Sequence, residues 1–214
     1  FSYKPVLMEC DYLFFACPSH ALRKTCEQVL NNCEDSWRLK GGIALCKGLE
    51  SKTNYLPHQV IQEILGMKFS AGYLTGPTYA NEVASGKPAA MTLAIDSSEK
   101  ELVDIQSQLS SKEIRIYRSS DRIGVGLGSS LKNIYAIATG ISDGLELGDN
   151  ARAALITRSM NEMIDLGVSL GGKRETFFGL SGFGDLVATS SGTWSRNRIF
   201  GLAIAQGQCP QKIL

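Results

Sequence analysis

Histidine is scarce in this sequence, with His20 and His58 the whole complement, and that scarcity excludes a histidine-based metal centre. Cysteine occurs, but never as a Cys-x-x-Cys pair. Cys10, Cys17, Cys26, Cys33, Cys46 and Cys209 are scattered, mostly near the amino end in apolar or helical surroundings. That spacing argues against a disulfide framework or a zinc site and predicts reduced thiols in a cytosolic protein. Charge of one sign is missing too. Lys plus Arg number 22 and Asp plus Glu 21, a formal net charge of +1, which is too weak a field to hold nucleic acid or an anionic membrane nonspecifically. No apolar run approaches the length of a membrane span, and no signal peptide is visible. There is no Walker-type phosphate loop, and Gly179-Leu180-Ser181-Gly182-Phe183 ends in phenylalanine where a nucleophile elbow needs glycine.

What is present suits a globular protein with a well-formed core: 43% of residues are hydrophobic and 20% charged. The chain starts at Phe1 without a methionine, and its first nine residues do not read as the start of a domain. A fragment is expected.

Asp11 to Ala16 is a short, continuous apolar run, the pattern of a strand buried on both faces of a parallel sheet. Ser19 is placed to cap a helix running to about Leu30. Gly41 to Cys46 gives a second strand, which delivers Lys47 at its carboxyl end. Pro57 opens a helix that Gly66 ends. Further strands are predicted at Ala71 to Leu74, Ala89 to Ile95 and Ile114 to Tyr117, with a helix over Ser98 to Leu109 and a helical stretch from Tyr79 to Ser85. This alternation predicts an open, mostly parallel α/β sheet of the doubly wound, Rossmann-like kind, with any ligand at the carboxyl ends of its strands. After Ser119 the pattern becomes helical only, so residues 1–119 form an α/β part and residues 120–214 an all-α part.

In the all-α part, Leu127, Leu131, Ile134, Ile137 and Ile141 define an apolar face of a helix over Gly124 to Asn150. Gly124, Gly128, Ala136 and Gly140 form a second row of small residues four apart, which Lys132 interrupts. Small residues mark where another backbone or a ligand comes close, so Lys132 either snorkels to the surface or faces a cleft. The glycines superficially resemble a dinucleotide-binding turn, but the third glycine of Gly-x-Gly-x-x-Gly is replaced by Ser129, and they read as packing residues that bring the helix against the sheet. Ala151 to Leu170 is a second helix, with Leu155, Met163, Leu166 and Leu170 on one side. Asp185 reads most simply as a helix cap. Ser195-Arg196-Asn197-Arg198 combines an N-cap serine, free backbone N–H groups and two arginines at one helix start, which makes an anion cradle.

Taken together, Ala16-Cys17-Pro18-Ser19, Cys46-Lys47-Gly48-Leu49-Glu50, Thr75-Gly76-Pro77-Thr78-Tyr79-Ala80-Asn81, Leu131-Lys132-Asn133, Gly140-Ile141-Ser142-Asp143-Gly144, Gly148-Asp149-Asn150-Ala151-Arg152, Gly182-Phe183-Gly184-Asp185-Leu186 and Ser195-Arg196-Asn197 resemble, in order, the bacterial-type NAD(P)-dependent glycerol-3-phosphate dehydrogenases. The resemblance covers nearly the whole chain. It implies an oxidoreductase that uses NAD or NADP to interconvert dihydroxyacetone phosphate and sn-glycerol 3-phosphate, feeding glycerophospholipid synthesis. It also implies a cytoplasmic setting, no metal and a phosphorylated triol or ketone as partner, and it leaves room for a homodimer.

By the same resemblance Lys132 is the general acid/base. Lys47 contacts substrate and cofactor, Gly76 and Thr78 the substrate, and Ala80 the cofactor. Asp185, Ser195, Arg196 and Asn197 hold the substrate's phosphate and glycerol parts, Arg196 also lying near the cofactor. A lysine desolvated beside Lys47 has its pKa lowered, while Asp185 pulls the other way, so the net direction stays open. The family's first βαβ unit, with its glycine-rich pyrophosphate loop, has no counterpart before Asp11, and more helix is expected after Leu214. Residues 1–214 alone are therefore expected to bind NAD(P)H poorly and to expose a sheet edge. Two competing readings remain: a related hydroxy-acid dehydrogenase, against which the phosphate cradle speaks, and a noncatalytic remnant of the fold, against which the retained lysines, Asp185 and Arg196 speak.

Overall fold

The structure, a computed structural model, describes residues 4–32 and 38–213. Phe1, Cys33 and Leu214, on which expectations above partly rest, lie outside the described residues. A short helix α1 (Lys4–Glu9) leads into β1 (Tyr12–Phe15). The chain then alternates through α2 (Leu22–Asn31), β2 (Gly41–Ala44), α3 (Pro57–Leu65), β3 (Ser70–Thr75), α4 (Ala80–Ala84), β4 (Ala89–Ile95), α5 (Glu99–Leu109) and β5 (Ile114–Arg118). The strands form one sheet in the order β1-β2-β3-β4-β5.

Strands β1, β2 and β3 are parallel, β4 runs antiparallel to β3, and β5 is parallel to β4. The sheet is thus the mostly parallel, Rossmann-like one expected, with a reversal that the sequence reading did not foresee. A parallel return needs a crossover of a dozen or more residues whose helix covers the sheet face. α4 has only 5 residues and buries none of them, so β4 comes back antiparallel. α5 buries Leu102 and Ile105 against the sheet, and β5 accordingly returns parallel.

Local chemistry sets the boundaries. Ser98 and Glu101 form a reciprocal capping box at the start of α5, Ser98 Oγ accepting from Glu101 N at 3.3 Å and Glu101 Oε2 from Ser98 N at 3.2 Å. Gly66, at φ 100°, ends α3 in a conformation that other residues adopt only with strain. Ser19 does not cap α2. Pro18 starts a 3-10 turn at once, which takes in Ser19–Ala21, and α2 begins at Leu22 without a side-chain cap.

Alternation along the strands fills both faces of the sheet. Phe15, Ala44, Ala71 and Tyr73 pack under Leu22, Cys26 and Val29 of α2 and Val60 and Ile61 of α3, while Ile43, Leu74, Leu93 and Ile116 pack on Leu102 and Ile105. His58 is a core histidine. Its Nδ1 lies 2.7 Å from the Tyr73 hydroxyl, and burial pushes its pKa down to about 4.

The remaining chain is helical: α6 (Arg122–Gly144), α7 (Gly148–Ser169), α8 (Arg174–Phe177), a π turn at Leu180–Gly184, α9 (Asp185–Ser191), α10 (Arg196–Ala205) and α11 (Pro210–Ile213). Buried Asp121 starts α6. One carboxylate oxygen accepts from Gly124 N and the other from Lys173 N, each at 2.8 Å, so the entry to α6 and the turn before α8 are tied to one side chain. Asp143, with its side chain buried near the end of α6, accepts from Arg152 Nε on α7 and Arg198 Nε on α10, each at 2.6 Å.

The buried stripes differ from those expected. On α6, Ile134 is 63% exposed, while Gly124, Gly128, Lys132, Ala136 and Gly140 are all buried. The reason is close backbone approach. A Cβ on Gly128 would sit 2.8 Å from the Ser181 carbonyl, and one on Gly140 would overlap the Arg198 carbonyl. Gly128 and Gly140 therefore admit other helical segments, and Gly124 the Thr176 side chain of α8, rather than the sheet. Gly126 alone in the cluster meets the sheet, through the Tyr73 ring. On α7, Leu166 and Leu170 are exposed, and the buried stripe is Ser159, Met160, Met163, Ile164 and Gly167. Gly167 makes room for the Phe177 ring, so here too a small residue marks the tightest contact.

Candidate active site

A cavity of about 800 Å³ opens where the carboxyl ends of β1 and β2 and the loop after β3 meet α6, α9 and the start of α10. The parallel strands end there and deliver Cys17-Pro18-Ser19, Leu45-Cys46-Lys47 and Thr78-Tyr79-Ala80 into its wall. The helical side contributes Lys132 and Asn133 of α6, Thr189 of α9, and Trp194 through Asn197.

Its floor is an ionic cluster. Asp185 is buried and accepts from two ammonium groups, Lys47 Nζ at 2.6 Å on one oxygen and Lys132 Nζ on the other. Lys132 also donates to Thr189 Oγ1 at 2.6 Å, and that hydroxyl donates to the Asp185 carbonyl at 2.6 Å. Asp185 is therefore no helix cap: α9 follows the π turn directly, and the carboxylate points to the lysines instead. The question left open by the sequence is settled by burial. Desolvation, reinforced by the neighbouring Lys47 charge, outweighs Asp185 and lowers the Lys132 pKa to about 8.

At the cavity's other end, Ser195 Oγ caps α10 by accepting from Arg198 N at 3.2 Å. Arg196 is exposed, and its side chain makes no hydrogen bond or ion pair with any described residue. Asn197 Nδ2 donates to Asn133 Oδ1 at 2.8 Å, which joins α10 to the residue after Lys132. Arg198, counted in the sequence as a second cradle arginine, is engaged with Asp143 and does not line the cavity.

Of the residues singled out by sequence, the cavity brings together Lys47, Thr78, Ala80, Lys132, Ser195, Arg196 and Asn197, with Asp185 beneath both lysines. Gly76 stands apart. It packs its Cα against the backbone of β4, where a Cβ would lie 2.6 Å from the Ala90 carbonyl, and it is absent from the lining. The sequence reading missed Thr189 and Tyr79. Thr189 lies one helical turn after Asp185, and that spacing was the available signal. Tyr79 gave none, because its hydroxyl reaches Ala188 O, 109 positions on, at 2.7 Å.

The five described cysteines are free, and burial pushes Cys26 and Cys46 each up to about 12. Among the described residues no group of metal-ligating side chains is assembled, and no helix is long and apolar enough to cross a membrane.

A parallel-strand edge that opens into a cleft, closed from the far side by helices carrying a buried lysine, is the arrangement of the Rossmann-like two-part proteins. Within that class the chain belongs to the NAD-dependent glycerol-3-phosphate dehydrogenase family: the family's N-terminal model matches residues 2–101 and its C-terminal model residues 121–214. It is 54% identical over 172 residues to the glycerol-3-phosphate dehydrogenase [NAD(P)+] of Janthinobacterium sp. (strain Marseille), covering 80% of this chain and 52% of that protein. It is 45% identical over 205 residues to that of Thiobacillus denitrificans, covering 95% and 61%. Among solved structures, glycerol-3-phosphate dehydrogenase from Coxiella burnetii superposes with a TM-score of 0.91 at 40% identity, over 98% of this chain and 63% of that one. The chain spans about half the length of the curated relatives it matches.

Proposed function

We propose that the protein is an NAD(P)-dependent glycerol-3-phosphate dehydrogenase that reduces dihydroxyacetone phosphate to sn-glycerol 3-phosphate and runs the reverse reaction. The observation that carries this reading is the pair of lysines sharing buried Asp185 at one end of a cleft whose other end is a capped helix start with a free arginine. In this reading residues 1–119 form part of the cofactor domain and residues 120–214 the catalytic domain.

The lining fits the nicotinamide end of such a cofactor. Ala16, Pro18, Leu45 and Ala80 give apolar surface beside the strand ends, and Lys47 and Arg196 supply cations at its margins. When bound, the cofactor supplies or accepts the hydride. Everything else falls to this chain. As the substrate carbonyl is reduced, charge builds on its oxygen, and Lys132 stabilises that charge and passes its proton to it. With a pKa of about 8, Lys132 populates both protonation states near neutrality and can serve either direction. Asp185 and Thr189 fix its position, so the ammonium needs no reorganisation in the transition state. Lys47 contacts substrate and cofactor from the opposite oxygen of Asp185. Ser195, Arg196 and Asn197 receive the phosphate and glycerol ends, where the helix dipole and a guanidinium both favour an anion, and this remote binding becomes orientation at the carbonyl. Thr78 bounds the substrate from the sheet side, and Gly76 packs the start of the loop that carries it against β4.

A cytoplasmic location and a homodimer belong to the same reading. Exposed Ile134, Leu145, Leu147 and Leu170 offer apolar surface that association would cover. The deciding experiment follows the absorbance of reduced nicotinamide on addition of dihydroxyacetone phosphate, with NADH and NADPH in parallel, for this chain within a protein of the relatives' full length and for the same protein carrying Lys132→Ala. Turnover is expected only for the former, with cofactor binding retained in both; near-normal turnover by Lys132→Ala removes the lysine from the chemistry.

A further inference from the structure

Two cysteines stand side by side in the cavity wall, and nothing in the proposed reaction uses them. β1 and β2 pair in parallel with Phe15 opposite Ala44, and Leu45 N continues the ladder to Phe15 O at 3.0 Å. The ladder ends there, and two residues past it Cys17, at a bend, and Cys46 leave the neighbouring strand ends on the same side. Packing puts both on one face: Phe15, Ala44 and Cys46 belong to the core under α2 and α3, Leu13 and Cys17 pack against it, and Ile43 and Leu45 face the other way. Adjacent strands lie about 4.8 Å apart, and a disulfide joins Cα atoms roughly 4.4–6.8 Å apart. The sulfurs can therefore meet with little backbone movement. Both residues line the cavity, with Cys17 part-exposed to it and Cys46 buried behind.

We propose that Cys17 and Cys46 are a redox-sensitive modification site, a dithiol that peroxides convert to a disulfide, disabling the site they line. The step balances. The Cys17 sulfur attacks the peroxide O–O bond, becoming a sulfenic acid and releasing an alcohol or water. The Cys46 sulfur then displaces that oxygen as water, so two thiols lose two hydrogens and two electrons while one peroxide is reduced. Cys26 of α2 lies over the same face, but it is fully buried and less open to the oxidant. The consequence for function rests on the reading above. Lys47 follows Cys46 directly, so a bond to Cys46 constrains the residue next to the Lys47–Asp185 contact and takes up cavity wall beside it.

The test treats the protein with hydrogen peroxide and then blocks free thiols. Intact mass and peptide mapping follow, with turnover measured in parallel. The expected result is a loss of about 2 Da that maps to a Cys17–Cys46 cross-link. It should be reversed by dithiothreitol, absent in Cys17→Ser and in Cys46→Ser, and kept in Cys26→Ser. Turnover should fall at least about tenfold with cross-link formation and return on reduction. A cross-link to Cys26 or to any other cysteine, or a gain of about 32 Da on Cys17 alone, overturns the pairing. A cross-link formed without loss of turnover overturns the effect on the site. Because the bond is read by mass, a protein that lacks the proposed activity still reports on it.

Discussion

The Tyr79 hydroxyl donates to the Ala188 carbonyl at 2.7 Å, joining the loop after β3 to the helix that carries Asp185 and Thr189. Tyr79 immediately precedes α4, and its neighbours Thr78 and Ala80 line the cavity. Tyr79→Phe keeps the ring and removes only the bond. Gly192 N still donates to Ala188 O at 2.9 Å, so no acceptor is stranded. Urea titration should show a loss of about 1 kcal/mol, and KM for the phosphorylated substrate should rise more than kcat falls.

The pH dependence of turnover should bear the mark of Lys132, whose burial and Lys47 neighbour bring its pKa to about 8. Ketone reduction needs the ammonium and should decline above about pH 8; alcohol oxidation needs the free amine and should rise through the same range. Lys47→Met removes a like charge and leaves the Asp185 carboxylate to Lys132 alone, so both limbs should move to higher pH. Initial-rate profiles in the two directions read this out, and profiles without mirror-image limbs would exclude Lys132 as the titrating group.

Removing one member of the ionic cluster should have unequal effects. Lys132→Met leaves Asp185 paired with Lys47 at 2.6 Å, whereas Asp185→Asn leaves two ammonium groups facing each other with Lys132 buried. A buried charge stripped of its partner costs roughly 3–5 kcal/mol. Thermal unfolding should therefore place Asp185→Asn well below Lys132→Met, and equal melting temperatures would contradict the sharing of the carboxylate.

His58 sets an acid limit on stability. Its folded pKa of about 4 lies below the ordinary 6.5, so between those values the unfolded chain binds the extra proton. Stability is fully present above pH 6.5 and falls as pH drops toward 4. Denaturant unfolding across this range should show that slope, and it should flatten in His58→Phe, which keeps an aromatic ring against Tyr73.

At Gly140 a Cβ would overlap the Arg198 carbonyl, and at Gly201 the Ile137 carbonyl. Gly140→Ala should cost roughly 1–3 kcal/mol by overpacking, against the usual gain from glycine to alanine in a helix. Calorimetry decides the sign.

Much of this was legible in the sequence because it is local. Ser98 and Ser195 cap the helices they precede, Pro57 and Gly66 bound α3, and the short apolar runs are strands. Strand direction was not legible at β4, since alternation of apolar residues is the same either way; only the failure of five-residue α4 to bury a face hinted at the reversal. Ile134 and Leu166 misled for the opposite reason. Hydrophobicity marked them as core, but the tightest contacts on α6 and α7 are made by glycines, whose contribution is the absence of a side chain. In the site, Lys132 stood out as a charge in a row of small residues. Tyr79, and the diversion of Arg198 to Asp143, depend on long-range contacts that no spacing reveals.

The glycine contacts between α6 and α10 set the two helices backbone to backbone. Lys132 lies about two turns up α6 from Gly140, and Arg196 more than a turn before Gly201 on α10. The two backbones are therefore fixed relative to each other, while the exposed Arg196 side chain keeps its own rotamer freedom. If Lys132 and Arg196 take the two ends of the substrate as proposed, what the glycines fix is the spacing of the two Cα atoms from which those side chains reach.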